Sequence, residues 1–337
     1  MTQNQSTSYA ALNSYSNGSC QVFFQFPTSF DVVDSPNSTL YLFQSLPNRT
    51  IINNTFPCCS NLTWLLSKVK TATKQPTQVI SQPTFLVIDD NNYIVTVSQN
   101  DTLIQMNPKN LTIMHTATVK SQSRSLSYVN GLYYVGSGNS TSYALDVYYT
   151  KNVSLVTDLS GPSSYFGAPK QAVFLYNNTV MVLVTQLPSN SSVLFYQINS
   201  SINYTLINKL VLNISVAYGL SRIDDYSIYL TTSNSNSYIY KLSTTGILQE
   251  WTLTQFAGRT TAGNTPAGTA IDSCNRLWVI MKGAGVWIYD QTGILIGTWS
   301  GSTTLSDIVV TIGYNVYLAD NGNNKIWSYQ PNIQCTS

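Results

Sequence analysis

The chain has 337 residues, of which 43% are apolar and only 9% are charged, with a formal net charge of +2 at pH 7. Its scattered Lys and Arg residues form no basic stripe, which argues against a nucleic-acid partner because phosphate binding needs a clustered positive surface. No apolar run is long enough to cross a membrane.

The N-terminal end is polar, and we predict a polar segment over residues 1–18 followed by a single domain over residues 19–337. Residues 1–19 contain no apolar stretch of the kind that a signal peptide requires, so we expect none in this chain.

A repeated pattern fills the predicted domain: an Asp, Asn or Gly turn leads directly into an alternating strand. The strand anchors lie 53, 39, 48, 48, 49 and 39 residues apart. A period of about 40–50 residues with several strands per unit is typical of a β-propeller. The sequence therefore predicts an all-β ring of four-stranded blades. The anchors are Leu40, Tyr93, Leu132, Val180, Ile228, Leu277 and Val316.

The number of blades depends on the first unit, at about residues 30–69, where the Cys58-Cys59 segment interrupts the strand pattern. Counting this unit as a blade gives seven blades, which we favour because it uses more of the chain. If the unit is an appendage, the ring has six blades and Asn61–Val69 supplies the closing strand.

The last unit, Ile308–Tyr329, has three predicted strands and lacks a fourth. Propellers commonly close by pairing an N-terminal strand with the last blade, and Gln21–Phe26 fits that role. Cys20 opens this strand and Cys335 lies just past the final unit, so antiparallel pairing would bring the two residues together. We therefore predict a Cys20–Cys335 disulfide that closes the ring.

Three cysteines remain after that pairing. Cys58 and Cys59 could bond to each other or to another chain, and Cys274 is left over as a buried thiol. No C-x-x-C pair is present and the one His lies far from every Cys in the sequence, so a zinc site is not indicated.

Asn-X-Ser/Thr sequons are more frequent than the composition would give by chance, and all of them lie before residue 214. A glycan at such a sequon requires a surface turn in a secreted chain. Asn- and Ser-rich turns also produce sequons without glycans, but we favour dense N-glycosylation. The predicted sites are Asn4, Asn17, Asn37, Asn48, Asn53, Asn61, Asn100, Asn110, Asn139, Asn152, Asn177, Asn190, Asn199, Asn203 and Asn213.

Two segments near the C-terminus resemble NHL repeats. The first is Pro266-Ala-Gly-Thr-Ala-Ile-Asp272 followed by Arg276-Leu-Trp-Val279. The second and closer one is Asn315-Val-Tyr-Leu-Ala-Asp320-Asn-Gly-Asn-Asn324-Lys-Ile326. The resemblance covers about the last 80 residues and implies four-stranded blades, usually six of them. The NHL family includes ligand-binding modules, scaffolds and a few enzymes, so the resemblance does not select a function.

Calcium-dependent lactonases and related esterases resemble this fold and hold a metal in the central channel with Glu, Asn and Asp. This chain has one His, His115, and one Glu, Glu250. Both residues fall on predicted outer strands, so neither supports a general base or a metal site in the channel. We expect no enzymatic activity and no cofactor, with Ca²⁺ in the central channel as the alternative.

A set of acids recurs 4 to 6 residues before the strand anchors. An Asp at this point caps a turn by accepting backbone N–H bonds, which is the role we favour. A calcium-binding role is the alternative. The acids are Asp34, Asp89, Asp224 and Asp272.

Five of the six Trp residues lie after residue 214, in the region without sequons. Trp is common at the centres of protein interfaces. Trp299 and Trp327 are our interface candidates, and we expect this region to pack against a protein partner or a second copy of the chain.

The sequence predicts a secreted, densely N-glycosylated β-propeller that acts as a structural or binding module of an extracellular surface, matrix or assembly. The alternative is a Ca²⁺-dependent lactonase-like or esterase-like propeller hydrolase. Asp and Asn ligands around a central ion would favour the hydrolase, whereas a channel filled by side chains would favour the structural module.

Overall fold

In the computed structural model of the protein, the chain divides into two units, Met1–Ile52 and Asn53–Ser337. This division differs from the boundary that we predicted after residue 18. The structure describes residues 11–15, 20–23, 38–42, 59, 61–77, 79–119, 125–138, 142–162, 168–176, 178–186, 191–200, 203–212, 217–232, 238–246, 250–257, 264–331 and 333.

The first unit contains a three-stranded antiparallel sheet. Its strands are β1 (Ala11–Tyr15), β2 (Cys20–Phe23) and β3 (Ser38–Leu42), in the spatial order β2-β1-β3. The predicted closing strand Gln21–Phe26 overlaps β2, but β2 pairs with β1 and not with a propeller blade. The anchor Leu40 lies in β3, so it marks a strand of this small sheet.

The second unit is a β-propeller of six four-stranded antiparallel blades. The strands of blades one to three are β5 (Pro83–Ile88), β6 (Ile94–Ser98), β7 (Thr102–Met106), β8 (Ile113–Thr118), β9 (Ser125–Val129), β10 (Leu132–Gly138), β11 (Ser142–Tyr149), β12 (Leu155–Pro162), β13 (Ala168–Leu175), β14 (Val180–Gln186), β15 (Ser191–Ser200) and β16 (Asn203–Leu212). Those of blades four to six are β17 (Ala217–Asp224), β18 (Ser227–Thr232), β19 (Ile239–Ser243), β20 (Thr252–Ala257), β21 (Thr265–Ile271), β22 (Leu277–Lys282), β23 (Gly285–Tyr289), β24 (Leu295–Trp299), β25 (Leu305–Val310), β26 (Val316–Asp320) and β27 (Lys325–Gln330), completed by β4 (Thr73–Pro76).

The first strand of each blade contacts the first strand of the next, and β25 returns to β5, so the six sheets form a closed ring. Six hydrophobic clusters fill the spaces between neighbouring blades. The second strands β6, β18 and β26 are buried along their whole length, because both of their faces contact other blades. The outer strand β8 is exposed at most positions.

The prediction of seven blades was wrong, and the alternative of six is correct. The six anchors from Tyr93 to Val316 each lie at or next to the start of the second strand of a blade. The seventh anchor is the residue in β3, which belongs to the other unit.

A strand N-terminal to the blades closes the ring, as predicted, but it is β4. This strand pairs with β27 and becomes the outermost strand of blade six. Thr77 follows it and accepts a hydrogen bond from the Ile326 N–H through Oγ1, at 2.9 Å. Closure by β4 supplies the fourth strand that the last blade lacks in the sequence.

The stretch Asn61–Val69 lies mostly in a helix, α1 (Leu62–Thr71), and does not form the closing strand of the six-blade alternative. The Asn61 side chain caps α1 by accepting a hydrogen bond from the Trp64 N–H at 2.9 Å. Leu65, Leu66 and Val69 are buried, a spacing that places them on one helical face. This face packs against β24, where a side chain in place of the hydrogen of Gly297 would press on the Leu66 side chain.

A disulfide joins Cys59, just before α1, to Cys274 in the turn between β21 and β22. The predictions that Cys59 pairs with Cys58 and that Cys274 is a free thiol are therefore wrong. The predicted Cys20–Cys335 bond lies outside the described residues, as does Cys58.

The described part of the chain contains no helix long and apolar enough to cross a membrane.

Candidate functional site

Polar side chains on the innermost strands bond to the backbone of the next blade. Ser127 on β9 donates its Oγ–H to the Ala172 carbonyl at 2.8 Å and accepts a bond from the Ala172 N–H at 3.0 Å. Gln171 on β13 accepts a bond from the Leu220 N–H at 2.6 Å. Because buried backbone groups need partners, these bonds help to fix the position of each blade relative to its neighbour.

Asp307 on β25 makes the corresponding link between blade six and blade one. Its Oδ2 accepts a bond from the Leu86 N–H at 2.7 Å, and its Oδ1 accepts one from the Ile308 N–H at 2.9 Å. The side chain is 2% exposed. Burial raises the pKa of this carboxyl to about 7, because desolvation outweighs the two backbone hydrogen bonds that favour the charged form.

One end of the central channel contains an aromatic pair from opposite blades. Phe85 on β5 and Tyr218 on β17 are stacked, with ring centroids 6.0 Å apart and an interplanar angle of 25°. Lys282 ends β22, and its Nζ lies 4.4 Å from the Tyr218 ring centroid. Burial, and to a smaller extent the charge of Asp307, raises the pKa of Tyr218 to about 12. Side chains from several blades therefore meet inside the ring at this end.

The inner strand of blade four packs closely against its neighbours next to Tyr218, because residue 219 is Gly. A Cβ at Gly219 would lie 2.7 Å from the Ala267 carbonyl oxygen and 2.9 Å from the Thr231 Oγ1. Glycine at this position lets the inner strand of blade four fit between its neighbours.

The recurrent acids cap turns, as predicted, at each described position. Asp89 Oδ1 accepts bonds from the N–H groups of Asn91 and Tyr93, both at 2.9 Å. Asp224 Oδ1 accepts one from the Tyr226 N–H at 2.7 Å. Asp34 lies outside the described residues.

Asp272 caps the equivalent turn of blade five. Its Oδ1 accepts bonds from the N–H groups of Cys274 and Arg276 at 2.9 and 3.0 Å. Its Oδ2 accepts bonds from Arg276 Nε at 2.7 Å and from Trp278 Nε1 at 2.9 Å. Both carboxylate oxygens are therefore used within the turn and the blade that follows it.

His115 and Glu250 lie on the periphery of the ring, as predicted. His115 is exposed on the outer strand β8, and Glu250 is exposed just before the outer strand β20. Among the residues that the structure describes, no three His, Cys, Asp or Glu side chains come close enough to share a metal ion.

Five predicted glycosylation sites have described side chains, and each of these Asn residues is exposed. The sequons at Asn110 and Asn152 share one geometry. In each, the side-chain oxygen accepts bonds from the N–H and the hydroxyl of the Thr or Ser two residues later. The five residues are Asn61, Asn100, Asn110, Asn152 and Asn199. Asn203 begins β16, and the other sites lie outside the described residues.

The two Trp residues predicted at an interface have structural contacts inside the propeller. Trp299 is 6% exposed and packs edge-to-face on Tyr329, with centroids 4.7 Å apart, so its placement on a partner surface was wrong. Trp327 is half-buried, donates a bond from Nε1 to Asp320 at 3.0 Å, and lies under Lys74 of the closing strand.

The cluster of Phe85, Tyr218, Lys282 and Asp307 was not predicted from the sequence. These residues are contributed by four blades and are widely separated in the chain, so no local motif marks them. Each of them is a bulky or charged residue near one end of an inner or adjoining strand. This shared feature indicates a site only after the strands have been assigned to blades.

Solved propeller structures share the fold of this chain and have little sequence identity with it. Hydrazine synthase from Kuenenia stuttgartiensis is 12% identical with a TM-score of 0.53, and the match covers 75% of this chain and 97% of that one. A luciferin-regenerating enzyme is 11% identical with a TM-score of 0.62, covering 76% and 94%. The β-propeller domain of Cps50 (Swd1) from Myceliophteria thermophila is 8% identical with a TM-score of 0.54, covering 77% and 99%.

At these identities the similarity shows the β-propeller fold alone. No protein-family model matches the sequence, and no curated protein matches it either.

Proposed function

We propose that this propeller is an N-glycosylated structural or binding module of an extracellular surface, matrix or assembly. The observation that carries the proposal is the exposure of every sequon Asn whose side chain the structure describes. A glycan is bulky and solvated, so it is tolerated only at such positions.

The geometry of two sequons supports the same proposal. At Asn110 and Asn152, the side-chain oxygen is held by the residue two positions later, at 2.9 and 2.8 Å from its hydroxyl. The nitrogen Nδ2, to which a glycan attaches, is the other end of this amide. The held oxygen therefore leaves the nitrogen available on an exposed turn.

The Cys59–Cys274 disulfide adds support of a different kind. Disulfides persist in oxidising compartments and are rare in reducing ones. A bond that joins residues 215 positions apart also stabilises the propeller against unfolding, as an extracellular protein requires.

A structural or binding role is also favoured over the hydrolase alternative. The described recurrent acids accept hydrogen bonds within turns, and Phe85 and Tyr218 occupy one end of the channel.

Within the proposed function, blades five and six are NHL-like units, with Asp272 and Asp320 each bonded to the indole of a Trp on a neighbouring strand.

The partner surface that we propose lies on the outer strand of blade five, after residue 214. Leu295 and Ile296 on β24, together with the preceding Ile294, are all at least 40% exposed. Adjacent exposed apolar residues on an edge strand favour contact with another protein.

Mass spectrometry of the protein purified from its own source tests the glycosylation directly. We expect a mass above the 37.2 kDa of the polypeptide, and modified peptides containing Asn110, Asn152 or Asn199. Peptides covering the Asn residues after residue 214, which are not in sequons, are the internal control. Unmodified Asn at all three positions would contradict the proposal.

Self-association measured by light scattering tests the partner surface. We expect Leu295→Asp to reduce self-association or partner binding, while Ile113→Asp on the outer strand of blade one does not. The two positions are matched, because their side chains are 42% and 41% exposed. Equal effects of the two substitutions would argue against a surface specific to blade five.

A further inference from the structure

Lys282 has an unusual environment for a lysine. It is half-buried at the end of β22, and the Tyr218 ring lies 4.4 Å from its Nζ. Within the described part of the chain, no carboxylate or other hydrogen-bond acceptor lies within bonding distance of this nitrogen. Burial lowers the pKa of Lys282, as expected for an ammonium removed from water without a counterion. The face of the Tyr218 ring compensates this charge only in part, because a cation–π contact supplies no hydrogen-bond acceptor for the ammonium.

The hydroxyl of Tyr218 also has no hydrogen-bond partner among the described residues. Its pKa of about 12 means that the phenol stays protonated and can donate at neutral pH. Phe85 stacks on this ring, and Gly219 allows the strand that carries Tyr218 to fit closely between neighbouring blades. The ammonium of Lys282 therefore lies against the ring of Tyr218, a residue with a hydroxyl donor, at one end of the channel.

We propose that Lys282 and Tyr218 bind an oxyanion group, either a carboxylate or a sulfate or phosphate, carried by a small molecule. An ammonium offers only donors, and a protonated phenol adds one more, so the pair matches the several acceptor oxygens of such a group. Hydrogen bonds between an ammonium and an anion are among the stronger ones in proteins. This site is additional to the proposed structural function and does not depend on glycosylation.

The nearby Asp307 does not supply the missing counterion. Its two oxygens accept bonds from the Leu86 and Ile308 N–H groups, and no ion pair joins it to Lys282. The pKa of this carboxyl is raised to about 7 by burial, so near neutral pH it opposes an incoming anion only in part. The bound anion would therefore be the main partner of the lysine.

Titration calorimetry with sodium acetate, sodium sulfate and sodium phosphate, at ionic strength held constant with chloride, tests the site. We expect saturable binding of at least one of these anions with one site per chain. Saturation by acetate alone assigns the site to carboxylates, whereas saturation by sulfate or phosphate assigns it to inorganic or ester oxyanions.

Three substitutions locate the binding. Lys282→Met should weaken it at least about tenfold, and Tyr218→Phe, which keeps the stacked ring, should weaken it about threefold or more. Lys325→Met is the matched control, since Lys325 is also half-buried and lies 5.5 Å from the Trp327 ring, away from the channel. The control should bind like the unmodified protein.

The proposal is overturned if the unmodified protein saturates with none of the three anions, or if Lys282→Met and Lys325→Met weaken binding equally. If Lys282→Met does not fold, Tyr218→Phe and the charge-retaining Lys282→Arg decide. Binding retained by Lys282→Arg and reduced in Tyr218→Phe supports the site, and unchanged binding in Tyr218→Phe contradicts it.

Discussion

The buried carboxyl of Asp307 should make the propeller less stable as the pH rises. In the folded protein burial raises its pKa from 3.8 to about 7, so the native state still holds the proton at pH values where the unfolded chain has lost it. Because the native state then binds more protons than the unfolded state, the free energy of unfolding falls between about pH 4 and 7. The Asp307→Asn substitution removes this titration and keeps an oxygen that can accept the Leu86 N–H bond.

The size of the effect follows from the pKa. Each pH unit over which only the native state holds the proton lowers the free energy of unfolding by about 1.4 kcal/mol. Between 3.8 and about 7 this amounts to about 4 kcal/mol. Relative to the unmodified protein, Asp307→Asn should therefore gain about 4 kcal/mol between pH 4 and pH 8.

Guanidinium unfolding followed by Trp fluorescence at pH 4, 5, 6, 7 and 8 measures this difference. The control is Asp290→Asn on an exposed turn, where the Thr292 hydroxyl lowers the carboxyl pKa. That substitution should act with the opposite sign, since the stabilisation from Asp290 is present above its unfolded pKa and is lost as the pH falls. A difference between Asp307→Asn and the unmodified protein that stays constant from pH 4 to 8 would refute the reasoning.

Three further variants, two of them with a control, test the packing of the ring by thermal or denaturant unfolding. Cys59→Ser combined with Cys274→Ser should cost about 2–5 kcal/mol, because the disulfide closes a long loop of chain; equal stability of oxidised and reduced unmodified protein would contradict this. Gly268→Ala should destabilise by about 1–3 kcal/mol or more, since the added methyl overlaps the buried Asp307, whereas Gly313→Ala meets nothing closer than 4.0 Å and should be close to neutral. Trp299→Ala should cost about 3–5 kcal/mol because it empties the space beneath α1, and a loss no larger than that of the exposed Ile296→Ala would show that the Trp is not part of the core.

The repeat could be predicted from the sequence because the second strand of each blade is buried on both faces. Such strands are almost continuously apolar, as in Val180–Gln186 and Leu277–Lys282, and each follows a turn with strong Asp, Asn or Gly preferences. Burial on two sides and tight turns are local demands, so they leave a local pattern. The turn-capping role of Asp89 and Asp272 was predictable for the same reason.

The helix and strand that complete the propeller, α1 and β4, could not be predicted from the sequence in this way. Helix α1 and the short β4 owe their positions to β24 and β27, which lie more than 200 residues away in the sequence. β2 also has a sequence typical of a strand, but it pairs with β1. Which of two suitable strands pairs with the last blade depends on the geometry of the whole ring.

Some features of the candidate sites could also be predicted from the sequence, whereas others depend on the tertiary structure. Sequons are local motifs, and the sequence placed them on turns that the structure shows to be exposed at Asn110 and Asn152. Trp299 lies in the same hydrophobic cluster as the buried face of α1, whereas its amino-acid type and its place in the region without sequons indicated an interface. The pairing of Cys59 with Cys274 depends on the same docking of the segment before α1 onto blade five.

The sequence by itself determined the class of fold, the repeat length and the turns, because hydrogen bonding within a blade and burial of its second strand act between residues close in the chain. Only the tertiary structure decided that six sheets close the ring and that Lys282, Tyr218, Phe85 and Asp307 meet inside it. The physical reason is that a ring closes through contacts between its two ends. Residues from different blades then meet inside the ring, and no local spacing in the sequence indicates that they are close together.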